Sequence, residues 1–238
     1  MMVLLLKLIL AHLIGDFFLQ PQQWVKDKEK NQLKSVWLYV HVAIHIALMF
    51  IIIWDLSYTI MILCIGVSHL VIDALKLILQ RKKNKRLLFL IDQVLHLLSI
   101  VVLASLFSKY DFDITSASNP RLLLLLTSVA FLTAPTSIIM KIIFSKWNIA
   151  KLTKDNESLQ DAGKYIGILE RLLVFIFIVV GHWEAVGFLI TAKSVFRFGD
   201  LTASKERKLT EYILIGTLIS FGIAITTSLI YLNLATYV

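Results

Sequence analysis

Four pairs of ionisable side chains recur at an interval of four residues in the first half of the chain: His12 and Asp16, His41 and His45, His69 and Asp73, Asp92 and His96. An interval of four puts both members of a pair on one face of a helix. Imidazole and carboxylate groups projecting from facing helices are how helical bundles build mono- and dinuclear metal centres. A set of His12, Asp16, His41, His45, His69, Asp73, Asp92 and His96 suits Zn²⁺, Mn²⁺ or Fe²⁺. An ion with an open coordination position activates water near neutral pH. Asp16 and Asp92 are candidate acid–base groups, and Lys76 would neutralise an aspartate or hold a substrate anion. Two other readings stay open: a proton or ion pathway, and a polar network that locks helices together.

A second group of charges lies in the other half. Glu170 and Arg171 follow Gly163 and Gly167, while Lys193 and Arg197 are four apart and Glu211 comes later. Like charges at that interval repel unless something compensates them. Either Glu170 and Glu211 do so in a structural ion-pair cluster, or Arg171, Lys193 and Arg197 hold a phosphate or carboxylate.

The elements that must position these groups are apolar blocks of about twenty residues, each long enough to cross roughly 30 Å of hydrocarbon. They run over 3–20, 36–54, 58–80, 87–107, 122–144, 165–180, 185–198 and 212–234, with Pro135 predicting a kink in the fifth. The spacing predicts an all-α, polytopic bundle of eight membrane helices. It divides into a four-helix His/Asp domain (1–107), a linking loop and fifth helix (108–145) and a C-terminal region (146–238). The seventh block is short enough to be tilted or re-entrant.

Basic residues gather in alternate connections. The first carries Lys26, Lys28, Lys30 and Lys34; the third is Arg81-Lys82-Lys83-Asn84-Lys85-Arg86; the fifth carries Lys146, Lys151, Lys154 and Lys164; the seventh carries Arg197, Lys205, Arg207 and Lys208. The positive-inside rule puts these in the cytoplasm and both termini outside. In that topology Asp16, His41, Asp73 and Asp92 lie roughly 6 to 10 Å below the cytoplasmic edge, and His12, His45, His69 and His96 roughly 12 to 16 Å below it. Antiparallel helices therefore bring two tiers of ligand-type residues to matching depths.

Composition agrees with a membrane chain. Of 238 residues 58% are hydrophobic and 17% charged, with mean hydropathy +0.80. Soluble domains are nearer half apolar and a quarter charged. The net charge of +8 belongs to membrane topology and not to nucleic-acid binding. Nine Gly and three Pro argue against disorder and repeats. The lone Cys64 excludes an intrachain disulfide. The first block contains His12 and Asp16 and lacks a small-x-small cleavage site, so it reads as a retained helix and not a signal peptide.

The stretch His12-Leu-Ile-Gly-Asp16-Phe-Phe-Leu-Gln20, with Lys30, His41, His45, His69-x3-Asp73-x2-Lys76 and Asp92-Gln93-x2-His96, resembles a bacterial membrane family catalogued as a domain of unknown function. Gly163-x3-Gly167-x-Leu-Glu170-Arg171, Ala192-Lys193-Ser194-x2-Arg197-Phe and Glu211-Tyr-x-Leu-Ile-Gly216-Thr217-Leu resemble its longer members. The resemblance implies the bacterial cytoplasmic membrane and no particular activity. The His-x3-Asp pattern is more weakly similar to membrane-bound metal-dependent hydrolases.

The expectation is a membrane-embedded, metal-dependent hydrolase whose substrate is an anionic lipid or other phosphate-bearing molecule at the cytoplasmic leaflet. The alternatives are a carrier for a metal, proton or anion, and a non-catalytic membrane partner protein.

Overall fold

The computed structural model describes residues 1–81, 83–107, 119–145, 162–198 and 204–237, and of residues 196–198 and 204–210 only the backbone. Among these residues the chain is all-α. Its α-helices are α1 (Met2–Phe17), α2 (Gln22–Asn31), α3 (Val36–Ile53), α4 (Thr59–Leu79), α5 (Lys85–Phe107), α6 (Pro120–Leu132), α7 (Ala134–Phe144), α8 (Ala162–Val179), α9 (Trp183–Phe198) and α10 (Ser204–Ala235). Five stretches of the described residues are long and apolar enough to cross a membrane: 36–53, 56–79, 85–107, 120–144 and 211–235.

Three of the eight expected blocks fall short as single spans. At 16 residues, α1 and α9 are shorter than a bilayer needs, and α8 carries Lys164, Glu170 and Arg171. The polar stretch after the first block is not a plain loop. It folds into α2 and a short 3₁₀ turn, Gln32–Lys34, bent 80° from α1. The helix α1 stops at Phe17, and Pro21 stands at the N-cap of α2 with φ −62°, where its fixed φ suits a helix entrance.

The chain divides into two compact units, 1–127 and 128–238. In the first, α3 packs on α1 and α4, and α5 closes the ring against α4 and α1. One half of this bundle is an apolar plug built from Leu4, Leu8, Met49, Met61, Ile65 and Ile100, with Ala11 and Ala104 filling the narrow crossings. The outward faces are apolar too: Val67, Val71, Leu75, Val94, Leu98 and Val102 are all at least half exposed. A bundle with an apolar exterior and histidines inside is organised for lipid and not for water.

Two devices hold the ring at its plugged end. Lys7, buried in α1, donates to the Ile53 carbonyl at 3.2 Å; this sets a positive charge at the C-terminus of α3, where the helix dipole favours it. At Gly66 the α3 and α4 backbones come close, and a Cβ there would lie 2.6 Å from Ile46 Cγ1. Between α3 and α4, Asp55 accepts from Ser57 N–H at 2.9 Å and from the Ser57 hydroxyl at 2.7 Å. These bonds hold its carboxyl below the usual carboxylate range.

In the second unit the kink expected at Pro135 is a full break, with α6 ending at Leu132 and α7 starting at Ala134. Proline has no N–H and its ring displaces the carbonyl four residues back. The Thr136 hydroxyl takes over that carbonyl, donating to Phe131 O at 2.7 Å. Around the break α10 packs on α7 and α8, and α9 on α8.

Candidate metal centre

The inward faces of α1, α3, α4 and α5 carry the four pairs. All eight side chains come together between the helices, and each of the five histidines is at most 3% exposed. Asp16 is the hub. Its Oδ1 lies 3.1 Å from His41 Nε2, 3.0 Å from His45 Nε2 and 3.7 Å from His69 Nε2, and its Oδ2 lies 3.8 Å from His12 Nε2. His69 Nε2 is also 3.2 Å from His41 Nε2.

The other four histidines form a closed circle beneath. Ring centroids are 5.6 Å apart for His12–His45, 4.0 Å for His45–His69, 4.0 Å for His69–His96 and 5.3 Å for His12–His96. They line a cavity of about 10 Å³, room for one water-sized sphere. Its floor is Leu8, Met49, Ile65 and Ile100, the top of the apolar plug.

Three aspartates mark the opposite side. Asp73 Oδ2 is 3.9 Å from His41 Nε2 and accepts from Lys28 Nζ at 3.0 Å. Asp92 Oδ2 accepts from Lys76 Nζ at 2.7 Å, and its Oδ1 is 3.8 Å from His96 Nδ1. Gln93 donates to Asp16 Oδ2 at 2.8 Å and approaches Asp92 Oδ2 at 3.2 Å. Three carboxylates against the two ammonium groups of Lys28 and Lys76 leave a formal balance of one negative charge.

Close packing fixes these positions. Gly15 precedes Asp16, and a Cβ there would lie 2.5 Å from His45 Cε1. Only glycine lets the His45 ring lie flat against α1 and reach the Asp16 carboxylate.

The donor chemistry fits a cation. His12 Nδ1 and Nε2, His41 Nδ1, His96 Nδ1 and Nε2 and Asp92 Oδ1 are buried without hydrogen-bond partners, a costly state for polar groups. Three Nε2 atoms also crowd one carboxylate oxygen, more than its two lone pairs accommodate well. One donor atom from each residue lies within 4.8 Å of the others in three groups: His12–Asp16–His45–His69, His41–His69–Asp73 and Asp73–Asp92–His96.

Lys28 and Gln93 join the site although neither is expected as a site residue from the sequence; Gln93 stands only inside the Asp92-Gln93-x2-His96 motif and Lys28 only among the basic residues of the first connection. Lys28 lies in a run of alternating charge, Lys26-Asp27-Lys28-Glu29-Lys30, where nothing separates the one buried lysine from its exposed neighbours. Gln93 has a visible signal: it stands beside Asp92 on the helix face that turns inward. Lys30, by contrast, is exposed.

The second set of charges serves a different structure. Arg171 is 3% exposed. It donates from Nε to Leu132 O at 2.7 Å, from Nη2 to Thr133 O at 3.3 Å and to Ser137 Oγ at 2.8 Å, and from Nη1 to Ser220 Oγ at 3.3 Å. Four of its five N–H groups thus satisfy the helix break made by Pro135 and its surroundings. Lys193 Nζ donates to Glu170 Oε2 at 2.7 Å and lies 5.8 Å above the Phe221 ring. Glu211 is exposed, and the Arg197 side chain lies outside the described residues. His182 pairs with Glu184 at 3.0 Å in an exposed turn, apart from either group.

The DUF3307 family, described as a protein of unknown function, matches residues 4–125. That stretch holds all eight residues of the constellation together with Lys28, Lys76 and Gln93; the runs around Gly163, Lys193 and Glu211 lie beyond it. No curated protein and no solved structure matches the chain. With its whole His/Asp site inside the matched half, the chain belongs to the DUF3307 family of proteins of unknown function.

Proposed function

We propose that this protein is a metal-dependent hydrolase embedded in the bacterial cytoplasmic membrane, acting on an anionic, phosphate-bearing lipid at the cytoplasmic leaflet. The full topology in this reading is eight spans with both termini outside; α1, α8 and α9 are short or charged spans completed within the protein. The observation that carries the proposal is the convergence of Asp16 with His12, His45 and His69 at a point between the helices where both His12 nitrogens are buried without hydrogen-bond partners.

His12, Asp16, His45 and His69 would hold the ion. A divalent ion there supplies Lewis acidity, acidifying water and polarising a phosphoryl or carbonyl oxygen. His41 stands outside this donor set. Its Nε2, 3.1 Å from Asp16 and 3.9 Å from Asp73, is placed to take a proton and pass it toward the carboxylates. Lys76 lies at the rim, its side chain 22% exposed, and pairs inward with the buried Asp92.

Access to the site is one-sided in this conformation, as an enzyme facing one leaflet requires. The plug of Leu8, Met49, Ile65 and Ile100 closes one end, while Asp16 and Lys76 are partly exposed at the other. Exposed Lys26, Lys30 and Lys34 beside the bend attract anionic head groups, and Trp24 stacked on Trp37 at 4.4 Å suits the membrane interface.

Purification in detergent followed by elemental analysis tests the reading. At least one transition metal per chain is expected, with the tightest-bound ion lost in His45→Ala and Asp16→Ala. Metal-free protein, with both variants as stable as the parent, would sink it. Flux across sealed vesicles without substrate turnover would turn the reading to a carrier.

A further inference from the structure

Two of the three donor groups share no residue. His12, Asp16, His45 and His69 form one; Asp73, Asp92 and His96 form the other. The second has its own unpartnered buried atoms, His96 Nδ1 and Nε2 and Asp92 Oδ1, on side chains 1% and 2% exposed. Each of its carboxylates meets a lysine: Lys28 at Asp73 Oδ2, 3.0 Å, and Lys76 at Asp92 Oδ2, 2.7 Å. The two sets adjoin, since the His69 and His96 rings are 4.0 Å apart and His41 reaches both Asp16 and Asp73.

We infer that the bundle holds a second cation site, Asp73–Asp92–His96, whose occupancy competes with the ammonium groups of Lys28 and Lys76. The inference rests on the proposed metal centre and adds a second ion and its control. The donor types differ: three imidazoles and one carboxylate suit Zn²⁺, whereas two carboxylates and one imidazole accept the harder Mn²⁺ or Fe²⁺ more readily.

Charge explains the competition. With both lysines in place the formal balance is one negative charge, which a single dication at the first site already overbalances. A second dication beside both ammonium groups would raise a large positive charge in a low-dielectric interior. Withdrawal of the lysines removes two positive charges and frees the Asp73 and Asp92 oxygens together. Lys76 is near enough to the surface to swing out. Lys28 sits on α2, beyond the 80° bend from α1, so its withdrawal is a movement of that short helix or of the side chain alone.

The test is metal stoichiometry and affinity of the full-length protein in detergent, stripped with chelator and dialysed against Zn²⁺ alone or Mn²⁺ alone. Two ions per chain are expected, one binding more weakly. Asp92→Asn/His96→Ala should abolish the weaker ion and keep the tighter one; His12→Ala/His45→Ala should do the reverse. Lys28→Met/Lys76→Met should tighten the weaker ion by about tenfold or more. Where a double variant does not fold, Asp73→Asn reads the same site and should weaken the same ion. A single ion per chain that either double variant removes would overturn the inference and leave the metal centre standing. An unchanged second affinity in the lysine variant would overturn the competition. No bound ion at all would remove the metal centre itself.

Discussion

Lys28 donates to Asp73 at 3.0 Å across 45 residues of sequence, joining the helix beyond the bend to the inward face of α4. Both groups are 7% exposed at the side chain, so this is a buried pair. Removing one partner of such a pair strands the other charge and typically costs about 3 to 5 kcal/mol. Lys28→Met alone should therefore lower thermal stability in metal-free protein. Lys28→Met/Asp73→Asn should recover most of it. Unfolding midpoints of the three proteins decide the point; equal losses in single and double variants would refute the pairing.

Gln93 holds the hub carboxylate from outside the donor set, donating to Asp16 Oδ2 at 2.8 Å. Groups that orient a metal ligand in this way commonly contribute 10- to 100-fold to affinity. Gln93→Ala is expected to weaken metal binding by about that factor while the helical content is kept. Gln93→Glu brings a third oxygen acid beside Asp16 and Asp92 and should raise the affinity for a dication while lowering stability without one. Competition titrations with a chromogenic chelator read both.

Arg171 satisfies the Leu132 carbonyl at the break before Pro135, donating at 2.7 Å, and adds a third donor to the Thr133 carbonyl, which already accepts from the Ser137 N–H and hydroxyl. Arg171→Met takes the donor from the buried Leu132 carbonyl and the Ser220 hydroxyl and is expected to cost about 1 to 3 kcal/mol. Arg171→Lys should recover only part, since an ammonium cannot reproduce the planar fork that spans Leu132 O, Ser137 and Ser220. Denaturation of the variants in detergent measures this. Loss of anion binding with unchanged stability would return Arg171 to the role of an anion ligand.

Asp55 offers a pH test outside the membrane segments. Its folded carboxyl is held below the usual value by hydrogen bonds from Ser57, with the charge of Lys7 a smaller cause in the same direction. A depressed folded value means the stabilisation is present above the unfolded pKa of about 4 and is lost as pH falls through the lower folded value. The stability difference between the parent and Asp55→Ala should thus be constant near neutrality and shrink below about pH 4. A difference that persists unchanged into acid would show that the turn is held by something other than the ionised carboxylate.

Which faces of α1, α3, α4 and α5 turn inward was legible in the spacing of their ionisable residues alone. An interval of four on a helix is fixed by its 3.6-residue turn, so His12 with Asp16, or Asp92 with His96, had to share a face whatever surrounded them. The break at Pro135 was legible too, because a residue without an N–H cannot continue the ladder. Tertiary structure decided the rest. That Lys28 and not Lys30 reaches Asp73 depends on the 80° turn after α1, a direction set by packing and not by any local propensity. That Arg171 closes the α6 break, and is not simply one of a cluster of surface charges, depends on α8 lying against α7 at the level of Leu132. That seven of the eight ligand-type groups separate into two donor sets, with His41 between them, depends on the rotation of each helix about its own axis, to which the packing of Gly15 against His45 and Gly66 against Ile46 contributes.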